Sequence, residues 1–238
     1  MKILYKIIAI TLLLVFASSC VINGGIRGNG NIETQKRNVS KDFTSIKVSQ
    51  GIKVYLTTNE RVSVNVEADE NIIDLIETEV HDGVLKISLS KNVWRSNKRK
   101  VYVSASTITS IRTSSGASVR LENTLKADRL DLRASSGSDI RGTVRVSDLE
   151  ADTSSGADIR LSGTAENFDA RASSGSNIRA FDLEAEYVKA KASSGADIRV
   201  NASKDINARA SSGGDVKYRG EAKRINSRKS VSGSVHRD

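Results

Sequence analysis

One tripeptide, Ser-Ser-Gly, returns along the second half of the chain at a nearly constant spacing. It occurs six times, and a degenerate copy, Val231-Ser232-Gly233, follows. The glycines lie 21, 19, 19, 20, 18 and 20 residues apart, at Gly116, Gly137, Gly156, Gly175, Gly195, Gly213 and Gly233. A spacing this regular is typical of an array of similar structural units that stack on one another.

The residues after each glycine alternate between apolar and charged. The apolar ones, each between an Asp or Asn and an Arg or Lys, are Ile140, Ile159, Ile178, Ile198 and Val216. Alternation with period two predicts a half-buried β-strand. The chain contains no proline, so every backbone N–H is available to a sheet ladder.

A unit of about 20 residues with two or three short strands cannot bury its own apolar face, whereas stacked units can. We therefore predict an all-β parallel β-helix, or β-solenoid, with rungs of about 20 residues that lie about 4.8 Å apart. A meander of hairpins is the alternative. Hairpins favour Asn-Gly or Asp-Gly turns, and the repeat array has none.

Equivalent positions of stacked rungs would form ladders along the axis. Besides the Ile ladder, we expect a column of small residues at Ala134, Thr153, Ala172, Ala192 and Ala210 and a column of serines at Ser136, Ser155, Ser174, Ser194 and Ser212. Both columns are predicted to line a narrow interior. The glycine is predicted to occupy a bend, where φ is positive, and the serines to hydrogen-bond along the stack.

Residues 1–19 have the pattern of a bacterial lipoprotein signal peptide. Lys2 and Lys6 precede a short apolar run, and small residues lead to Cys20, the only cysteine. This pattern predicts cleavage before Cys20 and its lipidation, which would anchor the protein in the outer membrane, on its cell-surface or its periplasmic face. The alternative is an ordinary signal peptide with an incidental cysteine.

The composition divides the rest of the chain into four parts. Residues 20–31 are interpreted as the lipidated cysteine and a flexible Gly- and Asn-rich tether, and residues 32–108 as an N-terminal β cap. Residues 109–225 hold the repeat rungs, and residues 226–238 a polar C-terminal tail. This end has no evident cap, which favours edge-to-edge self-association.

The ordered set of segments resembles the auto-transporter adhesin "head GIN domain" family of Bacteroidetes-type lipoproteins. The resemblance rests on 42–54 (DFTSIKVSQGIKV), 68–73 (ADENII) and 80–87 (VHDGVLKI), followed by the serial Ser-Gly rungs. It covers about residues 28–220. The resemblance implies a single-stranded right-handed parallel β-helix that is exported from the cytoplasm and has no established enzymatic activity.

The acidic positions of the array invite comparison with calcium sites. Asp139, Asp158, Asn177, Asp197 and Asp215 would form a column, but the nine-residue spacing of calcium-binding β-rolls is absent. A basic column stands two residues later, at Arg141, Arg160, Arg179, Arg199 and Lys217. Because stacked like charges repel, we interpret the two columns as mutual compensation and predict no metal site and no cofactor.

Catalysis finds little support in the repeat. Asp and Arg recur in every rung, whereas a catalytic site breaks such symmetry. The only histidines are His81, in a predicted turn, and His236, in the predicted tail. We therefore predict a non-enzymatic, lipid-anchored envelope protein that acts as an adhesin-like binding or structural module; a carbohydrate-active β-helix enzyme, similar to polysaccharide lyases and hydrolases, is the alternative.

The formal net charge of +9 favours anionic partners. The most asymmetric basic patch surrounds an aromatic residue and consists of Trp94, Arg95, Lys98, Arg99 and Lys100. It is our candidate site for a glycan or for an envelope or host protein; no nucleic-acid-binding motif accompanies it. The alternative is a solvated basic loop whose Trp94 folds onto the cap.

Overall fold

The computed structural model describes residues 24–40, 42–230 and 232–238. The predicted signal peptide and Cys20 lie outside the described residues. The first part of the chain forms strands β1 (Ile26–Arg27), β2 (Ile32–Arg37), β3 (Ser45–Val48), β4 (Lys53–Thr58) and β5 (Ser63–Asp69), helix α1 (Glu70–Ile73), and strands β6 (Ile76–His81), β7 (Val84–Leu89), β8 (Val93–Arg95) and β9 (Arg99–Ala105).

The repeat array follows without helices. Its strands are β10 (Ser110–Thr113), β11 (Ser118–Leu121), β12 (Leu125–Ala134), β13 (Asp139–Thr153), β14 (Asp158–Ala172), β15 (Asn177–Ala192), β16 (Asp197–Ala210), β17 (Asp215–Arg219), β18 (Arg224–Lys229) and β19 (Ser234–Arg237). Each strand pairs in parallel with its equivalent in the next rung, so that Ile140 is in register with Ile159, and Ile159 with Ile178. The β-solenoid is confirmed, and the hairpin meander is excluded for the array.

The Ser-Ser-Gly motif forms the corner between two strands of a rung. In the corner at Gly156, Ser155 has φ 51° and Gly156 has φ 72°, and the N–H of Ala157 donates to the carbonyl of Ser154 at 3.2 Å. Two consecutive residues with positive φ and this bond are the features of a type I′ turn. The Gly156 N–H donates to the carbonyl of Ser174 in the next rung at 3.2 Å, so the ladder continues through the corner.

The interior is lined by the predicted apolar ladder and small residues. Ile140, Ile159, Ile178, Ile198 and Val216 are fully buried, and the column from Ala134 to Ala210 is buried as well. The second serine of each motif is instead exposed on the corner. The expectation that the serine column lines the interior is therefore wrong, because the positive φ at this residue turns the corner outward.

The N-terminal rungs stack in an order that differs from the sequence. Strands β3 and β4 pair in parallel with β10 and β11 on one side and with β7 and β9 on the other. The chain thus leaves one rung, builds the terminal rung from β7 and β9, and returns to start the array. Strands β6 and β5 run antiparallel to β7 and β9, and β2 runs antiparallel to β5, so they cover the edges of the terminal rung.

The two segments that the sequence assigns to a tether and a C-terminal tail contain β-strands. Residues 24–31, assigned to the tether, lie against the cap, where β1 pairs with β8 and the Gly28 N–H donates to the Arg95 carbonyl at 2.8 Å. Residues 226–238, assigned to the tail, contribute to β18 and β19, which pair with β16 and β17 as a further rung. In both segments backbone hydrogen bonds fix a chain whose composition is polar.

Candidate functional site

A second column lies on the outer face of the stack, beside the corners: it consists of the residue two positions before the first serine of each Ser-Ser-Gly motif and of the residues in register with it in the other rungs. Lys86, Lys47, Arg112, Arg133, Asp152, Arg171, Lys191, Arg209 and Arg228 follow one another in register, one per rung. All except Asp152 are cations. We call this row the basic column.

The basic column borders a groove that runs along the axis of the stack. One section, of about 680 Å³, extends from Lys47 to Ser193, and a second, of about 470 Å³, extends from Lys191 to Ser230. The two sections share Lys191 and Ser193, so they form one continuous surface. The first serines of the corner motifs line the groove beside the cations.

In the first section, carboxylates neutralise the three arginines of the column, whereas Lys47 at its far end has no carboxylate within ion-pair distance among the described residues. The Nε atom of Arg133 lies 3.0 Å from Oδ1 of Asp131, and Arg171 pairs with Asp169. Asp152 lies between the two arginines, 3.8 Å from Arg171 and 4.0 Å from Arg133. Burial raises the pKa of Asp152, although Arg171 and Arg133 act in the opposite direction.

In the second section, this neutralisation stops. The residues two positions before Lys191, Arg209 and Arg228 are Lys189, Asn207 and Asn226, where the earlier rungs have Asp131, Glu150 and Asp169. Among the residues that the structure describes, Lys191, Arg209, Arg228 and the neighbouring Lys229 have no carboxylate within ion-pair distance. We call these four residues the open basic segment.

The acidic and basic ladders that follow the glycines are paired in part: three of the five cations contact a carboxylate, and Arg160 and Arg199 have none within ion-pair distance among the described residues. Arg141 lies 2.9 Å from Asp139, Arg179 lies 3.2 Å from Asp158, and Lys217 lies 4.0 Å from Asp215. The hydrogen bond from Arg141 to Asp139 raises the pKa of the guanidinium. No group of three or more His, Cys, Asp or Glu side chains within the described ranges could hold a metal ion.

The basic patch predicted around Trp94 consists of two exposed residues and three cations that contact the rest of the cap. Trp94 is 64% exposed, so the alternative in which it folds onto the cap is wrong, and Arg95 is exposed beside it. The other three cations contact the protein itself. Lys98 lies 2.6 Å from Glu67, Lys100 lies above the Tyr55 ring, and Arg99 donates to the Gln50 carbonyl at 3.3 Å. The hydrogen bond from Lys98 lowers the pKa of Glu67.

Asp69, which is not among the site residues predicted from the sequence, joins three segments of the cap. Its buried carboxylate accepts hydrogen bonds from the backbone N–H groups of Gly30, Asn97 and Lys98, at 2.9–3.0 Å. Burial raises the pKa of Asp69, but these hydrogen bonds outweigh it and hold the pKa below its usual value. A Cβ at Gly28 would lie 2.1 Å from this carboxylate, so Gly28 allows the close approach.

The basic column can be recognised in the sequence when the repeats are compared over the residues before each corner, and not only over those after each glycine. Arg133-Ala134-Ser135, Lys191-Ala192-Ser193 and Arg209-Ala210-Ser211 repeat one pattern before the corner. The loss of the compensating acids after Asp169 is visible in the same alignment. The partners of Asp69 have no such signal, because they lie 28 to 39 residues away in the chain.

The two histidines are far apart in the chain, and each lies beside a carboxylate. His81 is 3.3 Å from Glu79, and His236 is 3.4 Å from Asp215.

Within the part of the chain that is described, no helix has the length and apolar character needed to cross a membrane.

Comparisons with known proteins place this architecture. Residues 42–222 match the model of the family described as "Putative auto-transporter adhesin, head GIN domain". The crystal structure of a putative adhesin from Bacteroides fragilis is similar to this chain, with a TM-score of 0.78 and 26% identity over 86% of this chain and 96% of the other. A comparison with curated proteins gave no match.

Two further solved structures share the fold. A putative lipid binding protein from Parabacteroides distasonis has a TM-score of 0.70 and 21% identity, over 90% of this chain and 99% of the other. A putative adhesin from Parabacteroides merdae has a TM-score of 0.71 and 20% identity, over 90% and 98%.

Proposed function

The chain belongs to the family described as "Putative auto-transporter adhesin, head GIN domain", and from this premise we propose that it is a non-enzymatic, lipid-anchored, adhesin-like binding module of the cell envelope. The observation that carries the proposal is the groove along the basic column, which continues across the rungs of the stack. A long, regular and rigid surface suits an extended partner better than a small substrate, which is usually enclosed in a cavity.

The position of the N-terminal segment supports an orientation on the membrane. Strand β1 pairs with β8 at the terminal rung, and Ile26 follows the predicted lipidation site Cys20 by six residues. Six residues span at most about 20 Å. In a lipid-anchored protein the cap would therefore lie close to the bilayer, and the open basic segment, at the opposite end of the stack, would point away from it.

Trp94 and Arg95 have a place in this orientation. Both belong to β8, which pairs with β1, and both are exposed. Tryptophan favours the interface between lipid and water, and cations next to an anchor are attracted to anionic headgroups. We assign these two residues to the membrane-proximal surface of the cap, and Lys98, Arg99 and Lys100 to the internal structure of the cap.

Protease treatment of intact cells tests the anchor and the exposure together. We expect the wild-type protein with a C-terminal epitope tag to remain with the membrane fraction and to be cleaved by added protease. A Cys20→Ala variant should be lost from the membrane fraction. Full protection of the wild-type protein on intact cells, with cleavage only after the outer membrane is opened, would refute the cell-surface role and direct the search to periplasmic partners.

The enzymatic alternative has its own measurement. Incubation of the purified protein with acidic and neutral polysaccharides should produce no new reducing ends and no unsaturated sugar products. Release of either product, abolished by substitution of groove residues, would show that the groove is catalytic and would contradict the binding role.

A further inference from the structure

We propose that the open basic segment (Lys191, Arg209, Arg228 and Lys229) binds a linear acidic polysaccharide, one that carries a carboxylate or sulfate in each repeating unit. This inference rests on the proposed binding function and names the chemistry of its ligand. The polysaccharide would lie in the groove parallel to the axis of the stack, with its anionic groups opposite successive cations.

The spacing of the cations carries the first step. Lys191 is in register with Arg209, and Arg209 with Arg228, so these side chains start from points about 4.8 Å apart along a straight line. Lys229 occupies the register position of Ala210 and adds a cation at the same end. A straight row of regularly spaced cations matches an extended polymer with regularly spaced anions.

The second step is the contrast with the preceding rungs. The fold can neutralise this column, since Asp131 and Asp169 pair with Arg133 and Arg171 from the position two residues earlier. The same position holds Asn207 before Arg209 and Asn226 before Arg228. Like charges directly opposite each other in neighbouring strands destabilise a sheet, so the open basic segment is an electrostatic cost that an anionic ligand would offset.

The lining of the groove favours a polysaccharide over other polyanions. Alanines and serines, among them Ala192, Ser193, Ala210 and Ser211, line this section, and no aromatic ring is among its lining residues. Proteins that bind single-stranded nucleic acids stack the bases on aromatic side chains, and surfaces that insert into membranes need exposed apolar groups. Serine hydroxyls beside cations instead provide donors and acceptors for sugar hydroxyls as well as for anionic groups.

Binding of the purified full chain to immobilised polysaccharides tests the proposal. The probes are polygalacturonate and dextran sulfate, with uncharged dextran as the control. The groove variant combines Lys191→Gln, Arg209→Gln and Arg228→Gln. The matched variant combines Arg145→Gln, Arg160→Gln and Arg199→Gln, which removes the same charge from exposed positions outside the groove.

We expect the groove variant to lose at least about tenfold in affinity for one or both acidic probes, because three charge contacts disappear, and the matched variant to change by less than about threefold. The affinity of the groove variant should also depend less steeply on salt concentration. Equal losses in the two variants would show that only net charge matters and would overturn the proposal. So would failure of the wild-type chain to bind either acidic probe.

A single substitution that removes no cation provides the second test. Asn207→Asp places a carboxylate where Asp131 stands relative to Arg133, and it should weaken binding while the protein unfolds at an equal or higher denaturant concentration. Unchanged binding would contradict the proposal. Oligothymidylate and phosphatidylglycerol vesicles are tested in parallel: tighter, groove-dependent binding of either would replace the polysaccharide. Protease protection on cells refutes only the surface role, so the two failures are distinguishable.

Discussion

Replacement of a corner glycine by alanine isolates the energetic role of the repeated motif. At Gly156, φ is 72°, and a Cβ built on the backbone would meet no other atom within 4 Å. The substitution Gly156→Ala therefore changes the backbone preference without a steric clash. Any loss of stability must come from holding alanine in the left-handed region.

The expected cost follows from two opposing contributions. Left-handed backbone costs an L-residue about 1–2 kcal/mol. Alanine also restricts the unfolded chain more than glycine does, which stabilises the fold by about 0.4–1 kcal/mol. We expect Gly156→Ala to lower the free energy of unfolding by about 0.8 kcal/mol, within a range of about 0–1.6 kcal/mol.

Gly163→Ala is the matched comparison within the same rung. Here φ is 110°, and the added Cβ would lie 2.0 Å from the backbone carbonyl oxygen of Val144, its partner in the neighbouring strand. The strand must shift to relieve this clash, which adds about 1–3 kcal/mol. The total expected loss is about 1–4.6 kcal/mol, which exceeds the loss at Gly156 by the contribution of the clash.

Urea unfolding followed by circular dichroism measures both values. Far-UV dichroism reports on the strands of all rungs, whereas the fluorescence of Trp94 reports on the cap. The m-value should stay constant, so that a shift in midpoint represents a change in stability. Equal losses for the two variants, or a larger loss for Gly156→Ala, would refute the separation of backbone preference from close packing.

Four further substitutions, in three experiments, test the core and the cap. Phe168→Ala empties a buried position and should cost about 3–5 kcal/mol in urea unfolding; a cost below about 1 kcal/mol would contradict tight packing there. Asp69→Asn should cost about 1.5–3 kcal/mol at pH 7. Because the pKa of Asp69 is lowered in the folded state, its contribution is complete above the unfolded pKa of about 3.9 and is lost as pH falls through the lower folded pKa. The gap to wild type should therefore shrink at pH 3, and a constant gap would refute the charge-based explanation. Thr153→Val and Ser176→Ala remove a buried hydroxyl pair at 2.9 Å, and a double-mutant cycle should give a coupling of about 0.5–1 kcal/mol; a value near zero would show that the pair adds nothing.

The repeat array was predictable because each rung has the same local pattern of apolar and polar residues. The alternation around Ile140 and Ile159 fixes which residues face inward, and the constant spacing brings them into parallel register. The positive φ of the glycines also follows from the motif. The outward position of Ser155 does not, because the alternation is interrupted at a corner and its phase cannot be read across the turn.

The cap was less predictable because its pairings are not local. Nothing in the sequence of residues 84–89 indicates that β7 stacks on β3 at the end of the solenoid. The order of the rungs therefore differs from the order of the strands in the chain. The candidate patch shows the same limit. Arg95 ends β8 and Lys98 directly precedes β9. Of the two, only Lys98 forms an ion pair with Glu67, because β5 runs antiparallel to β9 at this point. Which cation is available to a ligand thus depends on a pairing between distant strands.

In the basic column, like charges stack at a fixed spacing, and their compensation by carboxylates changes along the axis. Two unit charges 4.8 Å apart repel by about 0.9 kcal/mol in water before salt screening. In the central rungs Asp152 separates Arg133 from Arg171, and the flanking acids relieve what remains. In the last rungs the same backbone positions could hold acids, yet Asn207 and Asn226 stand there. The rungs that follow Asp169 therefore keep the stacking geometry while their cations stay available, and in the proposed orientation these cations lie at the end of the stack farthest from the membrane anchor.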